Sequence, residues 1–164
     1  DKRFRFAPNW VGTAAKKGYQ WVCDPADMPR FADHWAITEA ATPEHPFRLA
    51  TSPARAFLNS SFNETPGSQK REGVPSVFIH PDDAARLRIS DGQFVTIGNH
   101  RGTVDLTARI RPGLPTGVLI AEGLHKNKSH RTGKGINTLT SATPAPPFGG
   151  TVYHDTAVWI RPAD

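Results

Sequence analysis

The feature that most constrains this chain is the run of residues 77–121, where a helix, a hairpin and a return strand follow one another with almost no spare residues. Pro81 suits the first position of a helix, and the two aspartates after it complement the positive end of the helix dipole. His80 then stands at the helix cap. The apolar stripe expected to face the core consists of Ala84, Ala85, Leu87 and Ile89.

A hairpin is predicted directly after this helix. The Asp91-Gly92 pair provides a turn into a strand at residues 94–97, and residues 99–102 turn the chain back. In the return strand, apolar and polar residues alternate, as a half-buried strand requires. The residues that share its predicted buried face are Val104, Leu106, Ala108 and Ile110.

Three further strands complete the prediction. They are expected at residues 47–51, 118–121 and 156–160, each a short segment rich in apolar residues. Residues 66–73 are polar and have the composition of an exposed connection. The predicted class is therefore mainly β with short helices.

Residues 1–45 are predicted to form an irregular N-terminal segment. Alternation at residues 3–6 is typical of a strand and residues 29–35 fit a short helix, but both signals are brief. Spaced aromatic residues are typical of a segment that docks onto a larger surface. They are Phe4, Phe6, Trp10, Trp21, Phe31 and Trp35.

Composition excludes several classes of protein. Cys23 is the only cysteine, so the chain has no intrachain disulfide and no cysteine-cluster metal site. A reducing compartment fits this, which favours the cytoplasm and leaves the periplasm open. No apolar stretch is long enough to span a membrane, and the first residues lack the apolar core of a signal peptide. Because the first residue is Asp and not Met, we expect a piece of a longer polypeptide.

The formal charge of +5 raises the question of an anionic partner. The longest basic stretch, residues 125–134, contains no acidic residue. We favour a solvated loop here. The alternative is a phosphate-contacting loop, in which Gly133 and Gly135 allow backbone amides to approach an anion closely.

A second polar cluster lies at residues 57–63, where small hydrogen-bonding side chains alternate with apolar ones. Its residues are turn and cap residues over a core, or they form the polar rim of a ligand site. From the residues alone we favour the first interpretation.

Other chemistry has little support. A serine hydrolase built from Ser60, His154 and Asp155 lacks the Gly-x-Ser-x-Gly elbow. The glycines around Lys134 do not match the NTPase phosphate loop, because Gly135 stands where that motif has Ser or Thr. No two histidines have the helical i, i+4 spacing of a zinc site. Glycosylation sequons occur at Asn59, Asn63 and Asn127, but this short pattern is common by chance.

Five motifs together resemble a known family. They are His-Pro-Asp-Asp-Ala at residues 80–84, Ile-Ser-Asp-Gly at 89–92, Asn-His-Arg-Gly at 99–102, Pro-Gly at 112–113 and Asn-Thr-Leu-Thr at 137–140. In this order and spacing they resemble the C-terminal molybdopterin dinucleotide-binding domain of the dimethyl sulfoxide reductase and formate dehydrogenase superfamily. The resemblance covers about residues 46–162. It implies a six-stranded double-psi β-barrel, of the aspartate decarboxylase-like kind, over residues 46–164.

The resemblance also implies a set of cofactor-binding residues. Hydroxyl groups suit a pyrophosphate, and the Asn59 carboxamide suits the paired donors and acceptors of pterin and guanine edges. The implied set is Thr51, Ser52, Asn59, Ser60, Ser61, His125, Asn137, Tyr153 and His154. The chain departs from the family at residues 52–53, where Ser-Pro replaces the common Gly-Arg. Pro53 has no N–H, so one possible phosphate donor is missing.

The implied cofactor is bis-molybdopterin guanine dinucleotide, whose molybdenum or tungsten is held by upstream domains of the parent enzyme. No catalytic residue and no metal ligand is assigned to this chain, and the domain alone is expected to have no redox activity. The implied partners are those upstream domains and the cofactor. Nucleic acid is not an expected partner. The alternative is a stand-alone double-psi barrel that binds a protein or nucleic acid through its basic surface.

Overall fold

The computed structural model describes residues 3–31, 39–146, 148–154 and 156–164. Contacts divide the chain into two compact units. The first, which we call the aromatic unit, combines Asp1–Thr38 with Ser141–Val152. The second, which we call the barrel unit, combines Glu39–Thr140 with Tyr153–Asp164. The division into residues 1–45 and 46–164 as parts of a parent enzyme stays a prediction.

The barrel unit is a closed barrel of six strands. The strands are β1 (Phe47–Ser52), β2 (Ser76–Ile79), β3 (Phe94–Asn99), β4 (Gly102–Ile110), β5 (Val118–Glu122) and β6 (Thr156–Pro162). Their order around the barrel is β1-β5-β2-β4-β3-β6. The five strands expected within residues 46–164 are all present, and β2 is an additional strand that no local pattern had indicated.

Two of the six strand pairs are parallel, β1 with β5 and β2 with β4. Each parallel pair requires the chain to cross over from one strand to the other, so the barrel is not a simple meander. The remaining neighbours are antiparallel, including the β3–β4 hairpin. The predicted class, mainly β with a six-stranded double-psi barrel, is confirmed.

Alternating residues of the strands fill the barrel interior. In β4 the three residues Val104, Leu106 and Ala108 are buried as predicted, while Ile110 is half-buried at the end of the strand. Fully buried side chains from the other strands meet them. These include Phe47, Leu49, Val77, Ile79, Val95, Ile97, Leu119 and Val158. The buried faces alternate because successive strand residues point to opposite sides of the sheet.

Helix α3 (Pro81–Leu87) begins as predicted, because the Nδ1 atom of His80 accepts a hydrogen bond from the backbone N–H of Asp82. Its buried face differs from the prediction. Asp83 and Ala84 are buried and Ala85 is exposed. The carboxylate of Asp83 is buried because it has partners there: Nη2 of Arg86 at 2.8 Å and the backbone N–H of Gly117 at 2.7 Å.

Helix α2 (Pro66–Glu72) corrects the prediction of an irregular connection at residues 66–73. Pro66 occupies the first turn, where its missing N–H costs no hydrogen bond, and Gly73 ends the helix with a positive φ of 71°. None of its residues is buried. The helix therefore has no apolar periodicity from which it could have been predicted.

The aromatic unit contains helix α1 (Trp10–Lys17), capped by Asn9 at its start and by Gly18 at its end. Trp21 packs against Trp10 and against Phe148, with ring centroids 6.0 and 4.8 Å apart. The brief strand-like alternation at residues 3–6 does not form a strand. Of the helix predicted at residues 29–35, residues 29–31 are not helical, and residues 32–35 lie outside the described residues.

Candidate functional site

Two neighbouring cavities open on the barrel unit at the end of the parallel β1–β5 pair. Because these strands are parallel, their carboxyl ends reach the same edge of the sheet, where Ser52 pairs with Glu122. The larger cavity has a volume of about 410 Å³. It is lined by Thr51, Ser52, Pro53, Asn59, Gly123, Leu124, Asn137, Thr140, Tyr153 and His154. Most of its polar lining is hydroxyl, carboxamide and imidazole.

Thr51 connects two sides of the larger cavity. Its hydroxyl donates a hydrogen bond of 3.4 Å to the backbone carbonyl of Tyr153 and lies 3.3 Å from Nδ1 of His154. Strand β1 thereby holds the segment that leads into β6. The side chains of Tyr153 and His154 remain exposed, so their polar groups are accessible from the cavity.

Asn59 lies at the tip of a tight turn. The backbone groups of Leu58 and Ser61 hydrogen-bond each other at 3.1 and 2.7 Å, which closes the turn. Asn59 adopts a left-handed conformation with φ of 48°, one that asparagine tolerates better than most residues. Its backbone therefore makes the turn, and the residue also lines the larger cavity. Its place in a ligand site stays a prediction.

The smaller cavity has a volume of about 270 Å³ and shares Leu124 and Asn137 with the larger one. Its other lining residues are Ser60, Asn63, His125, Lys126, Asn127, Gly135 and Ile136. The Nδ2 atom of Asn63 donates to the Leu124 carbonyl at 3.1 Å, which ties the turn to the loop after β5. Asn137 stands where the two cavities meet.

Phe57 and helix α2 hold the segment that leads into the Asn59 turn. The Phe57 ring is buried and packs against His125, with ring centroids 5.2 Å apart. A Cβ built on Gly123 would lie 2.7 Å from the same ring, so only glycine fits at that position. Glu72 at the end of α2 accepts a hydrogen bond from the backbone N–H of Ala56. The Asn59 turn is therefore braced by a buried aromatic ring and by a helix.

The structure groups most of the sequence-predicted site residues. The larger cavity takes in Thr51, Ser52, Asn59, Asn137, Tyr153 and His154. Ser60 and His125 line the smaller cavity. Ser61 lines neither, and its role stays a prediction.

Several lining residues were not among those predicted from the sequence. Gly123, Leu124 and Thr140 line the larger cavity, and Lys126, Asn127 and Gly135 line the smaller one. The second group belongs to the basic stretch for which a solvated loop was favoured. Two signals were available for it, the lack of any acidic residue and the glycines of the alternative phosphate-contacting loop. Gly123 and Leu124 carried no comparable signal, because their place depends on the pairing of β5 with β1.

Burial perturbs two histidines in this region. Burial lowers the pKa of His125, and the neighbouring His130 lowers it further, while Glu72 opposes them. Burial also lowers the pKa of His130, against opposing backbone interactions at Asp105 and His125. The Nδ1 atom of His130 is buried without a hydrogen-bond partner among the residues described. Both rings therefore favour the neutral form.

Of the three residues weighed for a serine hydrolase, Ser60 lines the smaller cavity and His154 the larger one, and Asp155 lies outside the described residues. Within the described ranges, no group of three or more histidine, cysteine or acidic side chains is arranged to hold a metal ion. The helices in the same ranges are too short or too polar to cross a membrane.

Curated relatives are much longer than this chain. It is 33% identical to the "Probable oxidoreductase YoaE" of Bacillus subtilis over 118 residues, which cover 72% of this chain and 17% of that protein. It is 34% identical to the "Dimethyl sulfoxide reductase DmsA" of Escherichia coli and 45% identical to the "Biotin sulfoxide reductase" of Cereibacter sphaeroides. These matches cover 52% and 31% of this chain, and 11% and 7% of the relatives. The chain thus spans less than a fifth of each relative.

A solved structure and a family model agree with these matches. The chain superposes on "Acetylene Hydratase from Pelobacter acetylenicus" with a TM-score of 0.62 and 13% identity, over 73% of this chain and 19% of that one, which shows a shared fold. The family model "Molydopterin dinucleotide binding domain" matches residues 47–159, which include every lining residue of both cavities. The predicted membership is confirmed, and this chain belongs to the molybdopterin dinucleotide-binding domain family of the dimethyl sulfoxide reductase superfamily.

Proposed function

We propose that this chain is the C-terminal domain of a larger molybdenum or tungsten oxidoreductase, where it holds the nucleotide-bearing ends of a bis-molybdopterin guanine dinucleotide cofactor. The single observation that carries the proposal is the pair of adjacent cavities that share Leu124 and Asn137 in their lining. A dinucleotide is an elongated ligand, and two cavities with a shared wall offer it consecutive binding places.

The polar groups around the cavities suit such a ligand. Hydroxyl and ammonium groups donate to phosphate oxygens, and Thr51, Ser60 and Lys126 supply them. Carboxamides offer adjacent donors and acceptors, as a guanine or pterin edge requires, and Asn59 and Asn137 supply these. Gly123 and Gly135 let the cavity walls pack closely, because a Cβ on either would lie 2.7 Å from a neighbouring side chain.

Some residues that line the cavities are exposed to solvent and could be covered by another domain. Asn59, Asn137 and His154 are exposed in this chain although they line the larger cavity. We therefore propose that upstream domains cover the remaining surface of the cofactor and provide the metal ligand. When bound, the cofactor supplies two-electron redox chemistry at its metal. The residues of this chain bind and orient its nucleotide ends, and the chain alone is expected to be redox-inactive.

A titration of the 164-residue chain with guanosine diphosphate (GDP) tests the proposal, with GDP as a probe for the nucleotide end of the cofactor. We expect saturable NMR shift changes at the amides of both cavities, and weaker binding of ADP and CDP. Asn137→Ala should lower the affinity about tenfold, since it removes hydrogen bonds to the ligand.

The matched control is Gln20→Ala, which removes an exposed carboxamide from the aromatic unit. It should leave GDP binding unchanged. The proposal is overturned if millimolar GDP produces no saturable change in the wild-type chain, or if the changes lie away from the two cavities.

A further inference from the structure

We propose that Arg101 is a positioning residue that sets Asn137 in the cavity wall by holding the backbone carbonyl of Leu139. The inference rests on the proposed function, because it concerns the same binding site. Arg101 lines neither cavity, so its effect on a ligand would be transmitted through the segment that carries Asn137.

The carbonyl of Leu139 is the point of attachment. Leu139 ends the short 3-10 helix Ile136–Leu139, which also contains Asn137. The carbonyl accepts two hydrogen bonds, from Nε of Arg101 at 2.8 Å and from Nδ2 of Asn99 at 2.9 Å. Both donors belong to the β3–β4 hairpin, whose last pair is Asn99 with Gly102. The hairpin is therefore hydrogen-bonded to the C-terminal residue of the 3-10 helix.

Arg101 is itself held on its other side by Glu39. The Nη1 atom lies 2.7 Å from Oε1 of Glu39, and Nη2 donates to Oε2 at 2.9 Å, so the pair is bidentate. The same Oε2 accepts from the backbone N–H of Ala157 at 3.1 Å. Although burial opposes it, these hydrogen bonds and the charge of Arg101 lower the pKa of Glu39. The guanidinium is fixed in one orientation, with its Nε directed at Leu139.

The β3–β4 hairpin and the 3-10 helix Ile136–Leu139 pack tightly against each other. A Cβ built on Gly102 would lie 2.7 Å from Cγ2 of Thr138, so the helix packs directly on the hairpin backbone. The backbone N–H of Arg101 donates to Oδ1 of Asn99 at 2.9 Å, which fixes the two donors relative to each other. The position of Leu139 is consequently set by several contacts acting together.

The consequence for the site follows from the chain direction. Asn137 and Thr140, on either side of Leu139, both line the larger cavity, while the Leu139 side chain is fully buried. The Thr140 hydroxyl donates to the Asn137 carbonyl at 2.9 Å. Because the hairpin holds Leu139, Asn137 and Thr140 keep fixed positions in the wall of the larger cavity.

The decisive variant is Arg101→Lys in the 164-residue chain, which keeps the positive charge and removes the Nε donor. We expect faster amide hydrogen exchange at Thr138 and Thr140 and about tenfold weaker GDP binding. A role limited to charge would be rescued by lysine. The matched control is Arg111→Lys just beyond the opposite end of β4, where the arginine lies over the ring of Phe78. It should change neither readout.

A second variant, Glu39→Gln, keeps both donors to Leu139 but weakens the contacts of the Glu39 carboxylate with Arg101 and with the backbone N–H of Ala157. It should shift both readouts in the same direction by less than Arg101→Lys does, and it keeps the test open if the lysine variant fails to fold. Unchanged exchange at Thr138 and Thr140 in a folded Arg101→Lys overturns the positioning role, as does faster exchange with unchanged GDP affinity. Failure of the proposed function is read separately, from the absence of GDP binding by the wild-type chain.

Discussion

Gly98 lies against the indole of Trp159, and a Cβ built on Gly98 would stand 2.3 Å from Cζ2 of that ring. The two residues are register partners on the antiparallel strands β3 and β6. Arg161 also packs on the indole, with its guanidinium carbon 4.8 Å from the ring centroid. The indole thus occupies space that any side chain at residue 98 would need.

Replacement of Gly98 by alanine is expected to destabilise the barrel by about 1–3 kcal/mol, because the added methyl group must displace the Trp159 ring. Urea unfolding at equilibrium measures the change. Gly113→Ala is the control, since a Cβ there meets nothing within 4 Å, and it should change the stability by no more than about 0.5 kcal/mol. A second replacement, Trp159→Leu, should recover part of the loss in the Gly98→Ala background. Equal effects at Gly98 and Gly113 would show that the contact is not tight.

Asp83→Asn is expected to lower the free energy of unfolding by about 1–3 kcal/mol, because its two carboxylate oxygens serve two separate donors. One oxygen accepts from Arg86 and the other from the backbone N–H of Gly117, and an asparagine can satisfy only one of them. Thermal and urea unfolding give the measurement. Asp82→Asn, one residue earlier and 83% exposed, should cost far less. Similar losses for both variants would assign the effect to the helix dipole alone.

Stability is expected to fall as the pH drops below about 6.5, the usual histidine pKa. Burial lowers the pKa of both His125 and His130, so in this range the unfolded chain binds protons that the folded chain does not. Excess proton binding by the unfolded state lowers the free energy of unfolding as the pH falls towards the lowered pKa values. Urea unfolding between pH 7 and 5 measures how steeply the free energy of unfolding changes with pH. His130→Gln should reduce this pH dependence, and the double variant with His125→Gln should reduce it further. Identical slopes in all three proteins would disprove the assignment.

Two adjacent serines in the Asn59 turn allow a residue that lines a cavity to be compared with one that does not. Ser60 lines the smaller cavity and Ser61 lines neither cavity. Ser60→Ala is therefore expected to weaken GDP binding several-fold, by about the free energy of one hydrogen bond, whereas Ser61→Ala should leave it unchanged. Isothermal titration calorimetry on the two variants gives the answer. A loss at Ser61 equal to that at Ser60 would favour the wider set of residues implied by the family resemblance.

Much of the barrel was readable from local patterns. Pro81 with its aspartates predicted helix α3, and the alternation in residues 103–110 predicted β4 and its buried face. Helix α2 and the burial of Asp83 were not predictable in this way. An exposed helix has no apolar period, and an acidic side chain is buried only where distant partners such as Gly117 meet it.

The candidate site was readable in part. Polar residues at 51–61 and at 125–137 were identified, and the structure places most of them around two cavities. Their distribution between the cavities, and the part played by Gly123 and Leu124, follow from the parallel pairing of β1 with β5. This pairing joins segments far apart in the sequence, so no local pattern contains it.

By itself the sequence determined five of the six barrel strands, the α3 helix and, through five ordered motifs in residues 80–140, the family. These depend on near neighbours in the chain, whose spacing is visible in the sequence. Only the tertiary structure decided how residues 77–121 are related to the candidate site. None of residues 77–121 lines either cavity among the residues described, yet Asn99 and Arg101 hold the carbonyl of Leu139. Barrel closure brings that hairpin against the Ile136–Leu139 helix, and hydrogen bonds between such distant segments exist only once the chain has folded.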